Sequence, residues 1–269
     1  MILVNGHVSD CVDVLDRGLA YGDGVFRTLR TAAGAPCWWR DHYAKLAGDC
    51  AALALECPDE GVLRDEVCRV AEAGVALAKI IVTRGTGARG YAPPHGQTAT
   101  RVVMGLPLPA HAQPEGVDGI TARGCTLRLA RQPRLAGIKH LNRLENVLAR
   151  AEWDDPDIVE GILCDVDGML VGGVMSNLLW IAQGILHTPD VSASGVAGVA
   201  RARLLRAAPR LGLGTRVGRY PPAAILAAEE VMICNSVLGV RHIARLDDVC
   251  CPSAGWSTRL NTALHEETD

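Results

Sequence analysis

The longest apolar stretches of this chain, such as Leu178–Ala182, have the length of a β-strand, and none approaches the roughly 18–20 residues that span a bilayer. Hydrophobic residues nevertheless make up 49% of the 269 positions and the mean hydropathy is +0.15, so there is ample material for a core and the chain is not of the disordered class. Aromatic residues contribute only 4%, with a single phenylalanine, Phe26. The core must therefore be aliphatic, built by packing short strands and amphipathic helices. Lys and Arg number 27 against 30 Asp and Glu, a formal charge of −3 with no overall basic excess for nucleic acid. The N-terminus starts on an apolar strand pattern with no basic leader. We expect a soluble cytoplasmic protein with neither a membrane nor a nucleic-acid partner.

Periodicity and turn residues lay out an α+β order. Met1–Val4 reads as a strand closed by an Asn5-Gly6 turn, and Cys11–Leu15 as its partner. A Gly- and Asp-rich loop precedes a strand at Val25–Thr31. Tyr43, Leu46, Cys50 and Leu53 recur at helical spacing in Asp41–Glu56, with Asp41 as the expected N-cap. A second helix is expected over Gly61–Ala78, then strands at Lys79–Arg84 and Arg101–Gly105 around a glycine-rich loop. Leu108–Pro114, with two prolines, reads as a linker between an N-terminal lobe of residues 1–107 and a C-terminal lobe of residues 115–269. The second lobe holds a strand over Gly119–Ala130 and a helix over Leu141–Trp153. Hairpins follow around Asp167-Gly168 and Gln183-Gly184, then a helix opened by Gly198 and strands at Glu229–Asn235 and Val240–Leu246.

The ten cysteines are scattered, with no C-x-x-C pair, which suits buried reduced thiols better than a zinc site. Asp23 is the only carboxylate of Tyr21–Phe26, so that stretch is read as a turn and no metal site is expected. Lys139 lies between a strand and a helix, flanked by Ile138 and Leu141. A lysine desolvated by apolar neighbours offers a neutral amine that can form a Schiff base with an aldehyde cofactor. The same spacing also describes a surface lysine preceding a helix.

The run Gly137-Ile-Lys-His-Leu-Asn-Arg143 resembles the cofactor-lysine segment of the 4-amino-4-deoxychorismate lyases. These belong to the fold type IV pyridoxal-phosphate enzymes, alongside the branched-chain and D-amino-acid aminotransferases. Further matches follow in order: Val4-Asn-Gly6, Asp16-Arg-Gly18, Tyr21-Gly-Asp-Gly-Val-Phe26, Arg84-Gly-Thr-Gly-Ala-Arg-Gly-Tyr91, Ser176-Asn-Leu178, Gly198-Val-Ala-Arg201 and Met232-Ile-Cys-Asn235.

The resemblance implies a two-lobed α+β fold, a homodimer, pyridoxal 5′-phosphate as cofactor and conversion of aminodeoxychorismate to 4-aminobenzoate and pyruvate for folate biosynthesis. Lys139 would be the cofactor lysine and the acid/base. Lys45, the Val199 and Ala200 amides at a helix N-terminus, Asn235 and Ser236 would hold the phosphate. Arg84, Arg89 and Tyr91, in a basic glycine-rich loop, would meet the substrate carboxylates. Two positions depart from the family pattern. Lys45 stands where an arginine is usual, and Gly172 where a glutamate contacts the pyridine nitrogen. Loss of that acid weakens the cofactor as an electron sink, which harms transamination more than a reaction driven by aromatisation. The alternatives are an aminotransferase for D- or branched-chain amino acids and a weakened, non-enzymatic homologue.

Overall fold

The structure is a computed structural model that describes residues 1–72, 74–93, 96, 98–109 and 119–266. Of the expected linker only Leu108 and Pro109 are included, and the rest lies outside the described residues. The chain divides into two compact units, Met1–Ala110 with Ile138–Asn142, and His111–Gly137 with Arg143–Thr268.

The first unit contains β1 (Ile2–Val4), β2 (His7–Val8), α1 (Arg17–Tyr21), β3 (Gly24–Ala32), β4 (Ala35–Pro36), α2 (Trp39–Ala52), α3 (Glu60–Ala71), β5 (Leu77–Thr83) and β6 (Thr100–Leu106). Its sheet runs β2-β1-β6-β5-β3-β4 and every pairing is antiparallel. The β1–β2 turn has positive φ at both Asn5 and Gly6, the conformation that an Asn-Gly hairpin favours. Leu3, Leu29, Ile80 and Val103 of the sheet pack with Leu46 and Cys50 of α2 and Leu63 and Val67 of α3 in an aliphatic core.

Three expectations fail in this unit for local reasons. The strand at Cys11–Leu15 is absent. The Ser9 hydroxyl takes the Cys11 amide at 3.2 Å and Asp13 Oδ1 takes the Leu15 amide at 2.8 Å, so side chains capture donors that a ladder would need. Helix α2 starts at Trp39, with left-handed Trp38 as its cap, and Asp41 sits inside the first turn. Helix α3 stops at Ala71 instead of continuing to Ala78. Gly74 takes a left-handed φ of 71°, and from Leu77 the backbone is shared between β3 and β6.

The second unit contains β7 (Ile120–Leu129), α4 (Leu144–Arg150), β8 (Ile158–Asp165), β9 (Leu170–Gly173), β10 (Asn177–Ala182), β11 (Ile185–Pro189), α5 (Val199–Ala207), β12 (Gly214–Gly218), β13 (Glu230–Asn235), β14 (Gly239–Leu246), β15 (Val249–Cys250) and α6 (Trp256–Glu266). The sheet order is β12-β11-β10-β13-β14-β7-β8-β9, with β15 on β14. Both glycine-turn hairpins form as expected, whereas β12 and α6 were not legible in the periodicity.

The expected C-terminal lobe loses one segment to the first unit. The helix expected from Leu141 begins only at Leu144, because Ile138–Asn142 is extended against β3. The Phe26 amide donates to Lys139 O at 3.0 Å, Leu141 N donates to Gly24 O at 2.9 Å, and His140 faces Val25 across the bridge. Lys139 therefore belongs with β3 and α2, not with the strands that surround it in sequence.

Candidate active site

Lys139 is held by its main chain on both sides. Its carbonyl accepts from Phe26 N, and its amide donates to Asp49 Oδ2 at 3.0 Å. Ile138 beside it is buried. Its ammonium lies 4.6 Å from the centroid of the Phe26 ring, and Lys79 Nζ lies 5.4 Å from the same centroid. The one phenylalanine of the chain thus orients the candidate nucleophile by a cation–π contact. Of the two apolar flanks expected for Lys139, Ile138 is buried and Leu141 is half-buried, and the Phe26 ring adds a third apolar neighbour.

Asp49 was not anticipated. It projects from α2 beside Leu46 and Cys50, and it is buried. Its Oδ1 takes Lys45 Nζ, one helical turn earlier, and its Oδ2 takes an Nη of Arg27 from β3. Arg27 also donates to Lys45 O at 3.1 Å, and its Nε is buried with no hydrogen-bond partner among the described residues. Two cations against one carboxylate leave a net positive charge. Burial pushes the Lys45 pKa below the usual lysine range, only partly opposed by Asp49, and it pushes Arg27 down likewise. The signal for this cluster was present in the sequence: a carboxylate three residues beyond Leu46 falls on the inner face of the helix.

The loop residues divide. Arg84 is a structural clamp, which corrects its expected role toward substrate. Its Nε and one Nη bind Asp23 at 2.8 and 3.1 Å, and its two Nη groups close the C-terminal end of α2 at Ala54 O and Leu53 O, 2.7 and 2.8 Å away. Arg17 binds the same Asp23 at 2.9 Å and holds Gly90 O and Tyr91 O. Burial alone would raise the Asp23 pKa, but the two guanidinium groups hold it below the usual carboxylate range. Arg89 and Tyr91 are exposed. The Tyr91 ring lies against Tyr21 at 5.4 Å, and Arg89 has no partner among the described residues, so both keep surface for a ligand.

In the second unit, Gly198 precedes α5 in extended conformation and no side chain caps the helix. Asn177 bridges the approach, accepting from Gly198 N at 3.2 Å and donating to Val196 O at 2.8 Å. A Cβ on Gly198 would lie 2.2 Å from Asn177 Oδ1, so only glycine fits this cradle. The Val199 and Ala200 amides thus stand in an uncapped first turn, a donor set suited to a phosphate. Arg201 does not join them; its Nε and Nη bind Thr188 Oγ1 and Pro189 O, tying α5 to β11.

Asn235 is also spent locally, against expectation. Its Oδ1 accepts from Val237 and Leu238 at 2.8 and 2.7 Å and its Nδ2 donates to Met175 O, which builds the β13–β14 turn. Ser236 in that turn is half-buried, and its hydroxyl has no partner among the described residues.

Gly172 has an ordinary φ, and a Cβ there would lie 3.0 Å from Ser176 O, so the position leaves little room for a side chain. Glu160 is a buried carboxylate in this stretch. It accepts from Ser176 Oγ at 2.7 Å, Gly161 N at 3.0 Å and Met175 N at 3.3 Å. Burial raises its pKa against these bonds. Its oxygens hold the turn at 173–176. Among the described residues no group of His, Cys, Asp or Glu is placed to hold a metal ion.

Residues 24–246 match the amino-transferase class IV family. The chain is 33% identical to the aminodeoxychorismate lyase of Vibrio harveyi over 253 residues, covering 91% of this chain and 90% of that protein. It is 27% identical to the D-alanine aminotransferase of Bacillus licheniformis over 259 residues, covering 91% and 88%. The crystal structure of 4-amino-4-deoxychorismate lyase from Pseudomonas aeruginosa is similar with a TM-score of 0.92 and 42% identity over 99% of both chains.

Proposed function

Since the chain belongs to the class IV aminotransferase family, we propose that it is a pyridoxal-phosphate-dependent lyase that converts 4-amino-4-deoxychorismate to 4-aminobenzoate and pyruvate, a step toward folate. The observation that carries this reading is the 42% identity to the Pseudomonas aeruginosa lyase, which extends over 99% of both chains. The likeness to the D-alanine aminotransferase is weaker, at 27%.

When bound, the cofactor supplies an aldehyde that condenses with an amine and a ring that accepts an electron pair. Lys139 Nζ provides the resident amine and then moves a proton at the reacting carbon of the substrate. The clamped main chain and the Phe26 ring set where that nitrogen can reach. The Val199 and Ala200 amides and the Ser236 hydroxyl would hold the phosphate, and Lys45 would supply a cation for it. Arg89 and Tyr91 meet the substrate carboxylates. The substrate ring loses a proton and its three-carbon substituent, pyruvate carries that proton away, and no oxidant is required. Aromatisation drives the step, so a chain with Gly172 in place of an acid loses less in this reaction than in transamination.

The homodimer implied by the resemblance forms part of the proposal. Leu144, Val147 and Leu148 are exposed on α4 and offer apolar surface to a second copy. A cytoplasmic setting suits the cysteines, all of which are free. No helix among the described residues is long and apolar enough to cross a membrane.

Incubation with pyridoxal phosphate and aminodeoxychorismate tests the reading. Release of equal amounts of 4-aminobenzoate and pyruvate is expected. Brisk amino transfer from D-alanine or a branched-chain amino acid, without 4-aminobenzoate, would establish the aminotransferase instead.

A further inference from the structure

Asp49 occupies a position that neither the function above nor the packing of α2 requires. A carboxylate on the inner face of an amphipathic helix is costly to bury unless its charge is answered and its lone pairs are filled. Here both conditions are met by groups that converge on the carboxylate, one of them the main-chain amide of the candidate nucleophile's own residue. Oδ1 takes Lys45 Nζ, while Oδ2 takes Arg27 and the main-chain amide of Lys139, ninety residues away. The helix is anchored on either side by buried Leu46 and Cys50, so the carboxylate has little freedom to follow its partners.

We propose that Asp49 is a positioning residue for Lys139: it fixes the main chain from which the amine projects, and it holds Lys45 and Arg27 as one cationic cluster beside that amine. The proposal rests on the reading of Lys139 as the cofactor lysine. It assigns Asp49 two separable tasks. As an acceptor it takes the Lys139 amide, which a neutral amide side chain could also do. As a charge it balances the buried Arg27 and the half-buried Lys45, which only a carboxylate can do. Without the charge, Lys45 and Arg27 repel each other in a desolvated setting and Lys45 is no longer drawn to its place. Without the acceptor, the Lys139 amide loses its partner, while the bonds of segment 138–142 to β3 and to Gly22 O remain.

The test compares wild type, Asp49→Asn, Asp49→Ala and Asp49→Glu. Three quantities are measured on each: thermal unfolding without cofactor, the Kd for pyridoxal 5′-phosphate by absorbance titration, and the rate at which borohydride traps the cofactor on Lys139, located by peptide mass mapping. Asp49→Asn should weaken cofactor binding about tenfold, the scale of one lost charged hydrogen bond. Asp49→Ala should weaken it further and slow trapping, and Asp49→Glu should keep the charge while slowing trapping by displacing the amide. The graded order, with asparagine rescuing part of the alanine defect, is the signature of positioning. If the variants differ only in melting temperature while Kd and trapping rate match wild type, the inference is overturned and the function stands. If wild type itself takes up no cofactor on Lys139, the functional reading falls and the inference with it. Should Asp49→Asn and Asp49→Ala fail to fold, Asp49→Glu decides: slowed trapping supports the proposal, and a wild-type rate overturns it.

Discussion

Two aspartates in the first unit each gather two cations, yet they serve different ends. Asp23 sits between Arg17 and Arg84, and Asp49 between Arg27 and Lys45. Around Asp23 the remaining guanidinium donors are taken by main-chain carbonyls of Leu53, Ala54, Gly90 and Tyr91, so the cluster is closed. Around Asp49 one oxygen reaches the Lys139 amide and Arg27 Nε is left over. Formal charge does not separate the two clusters. The count of donors left after the main chain is satisfied does, and it sets Asp23 apart as a staple from Asp49, the proposed positioning residue.

The largest effect that this contrast predicts comes from the open cluster. Lys139→Ala keeps both main-chain bonds and should fold as wild type, yet it should lose borohydride-sensitive cofactor attachment and all 4-aminobenzoate production. Retention of either would remove Lys139 from its role. Asp23→Ala should do the reverse. Leaving Arg17 and Arg84 without their carboxylate should destabilise the chain by about 3 kcal/mol while turnover per folded molecule changes little, as denaturant titration alongside active-site counting would show. The pH dependence has a definite sign. The folded-state pKa of Asp23 lies below its ordinary value of 3.8, so its stabilisation is complete above that value and is lost as the pH falls through the folded-state pKa. Wild type should therefore lose more melting temperature on acidification below that value than Asp23→Asn does.

Smaller effects sharpen the comparison. Lys45→Ala should weaken pyridoxal phosphate binding by one to two decades, corresponding to about 1.5–3 kcal/mol, while Lys45→Arg retains it; an unchanged titration would exclude Lys45 from the phosphate site. Arg89→Ala, at an exposed arginine, should raise KM for aminodeoxychorismate by roughly tenfold or less without moving the melting temperature. Arg84→Ala should lower the melting temperature first, because its donors hold the end of α2. A pure KM effect in Arg84→Ala would mean that the closed cluster opens for substrate.

Some of this was legible in the chain itself. The Asn5-Gly6, Asp167-Gly168 and Gln183-Gly184 turns, the Gly198 helix start and most strands depend on φ preference and side-chain period, properties of residues close in sequence. The motifs around Lys139 and Gly198 were legible through their resemblance to a known family, and that family is the one the chain belongs to. Tertiary structure alone decided what the charged groups do. Arg84 looks like a free ligand until Leu53 and Ala54 come within hydrogen-bonding distance. Asp49 reads only as a carboxylate on the inner face of its helix until Lys139 arrives from ninety positions away. Leu141 and Asn142 look like the start of a helix until β3 offers the segment an open edge. A polar group's role depends on which partners remove it from water, and those partners are brought together by the packing of the core, which a local pattern does not encode.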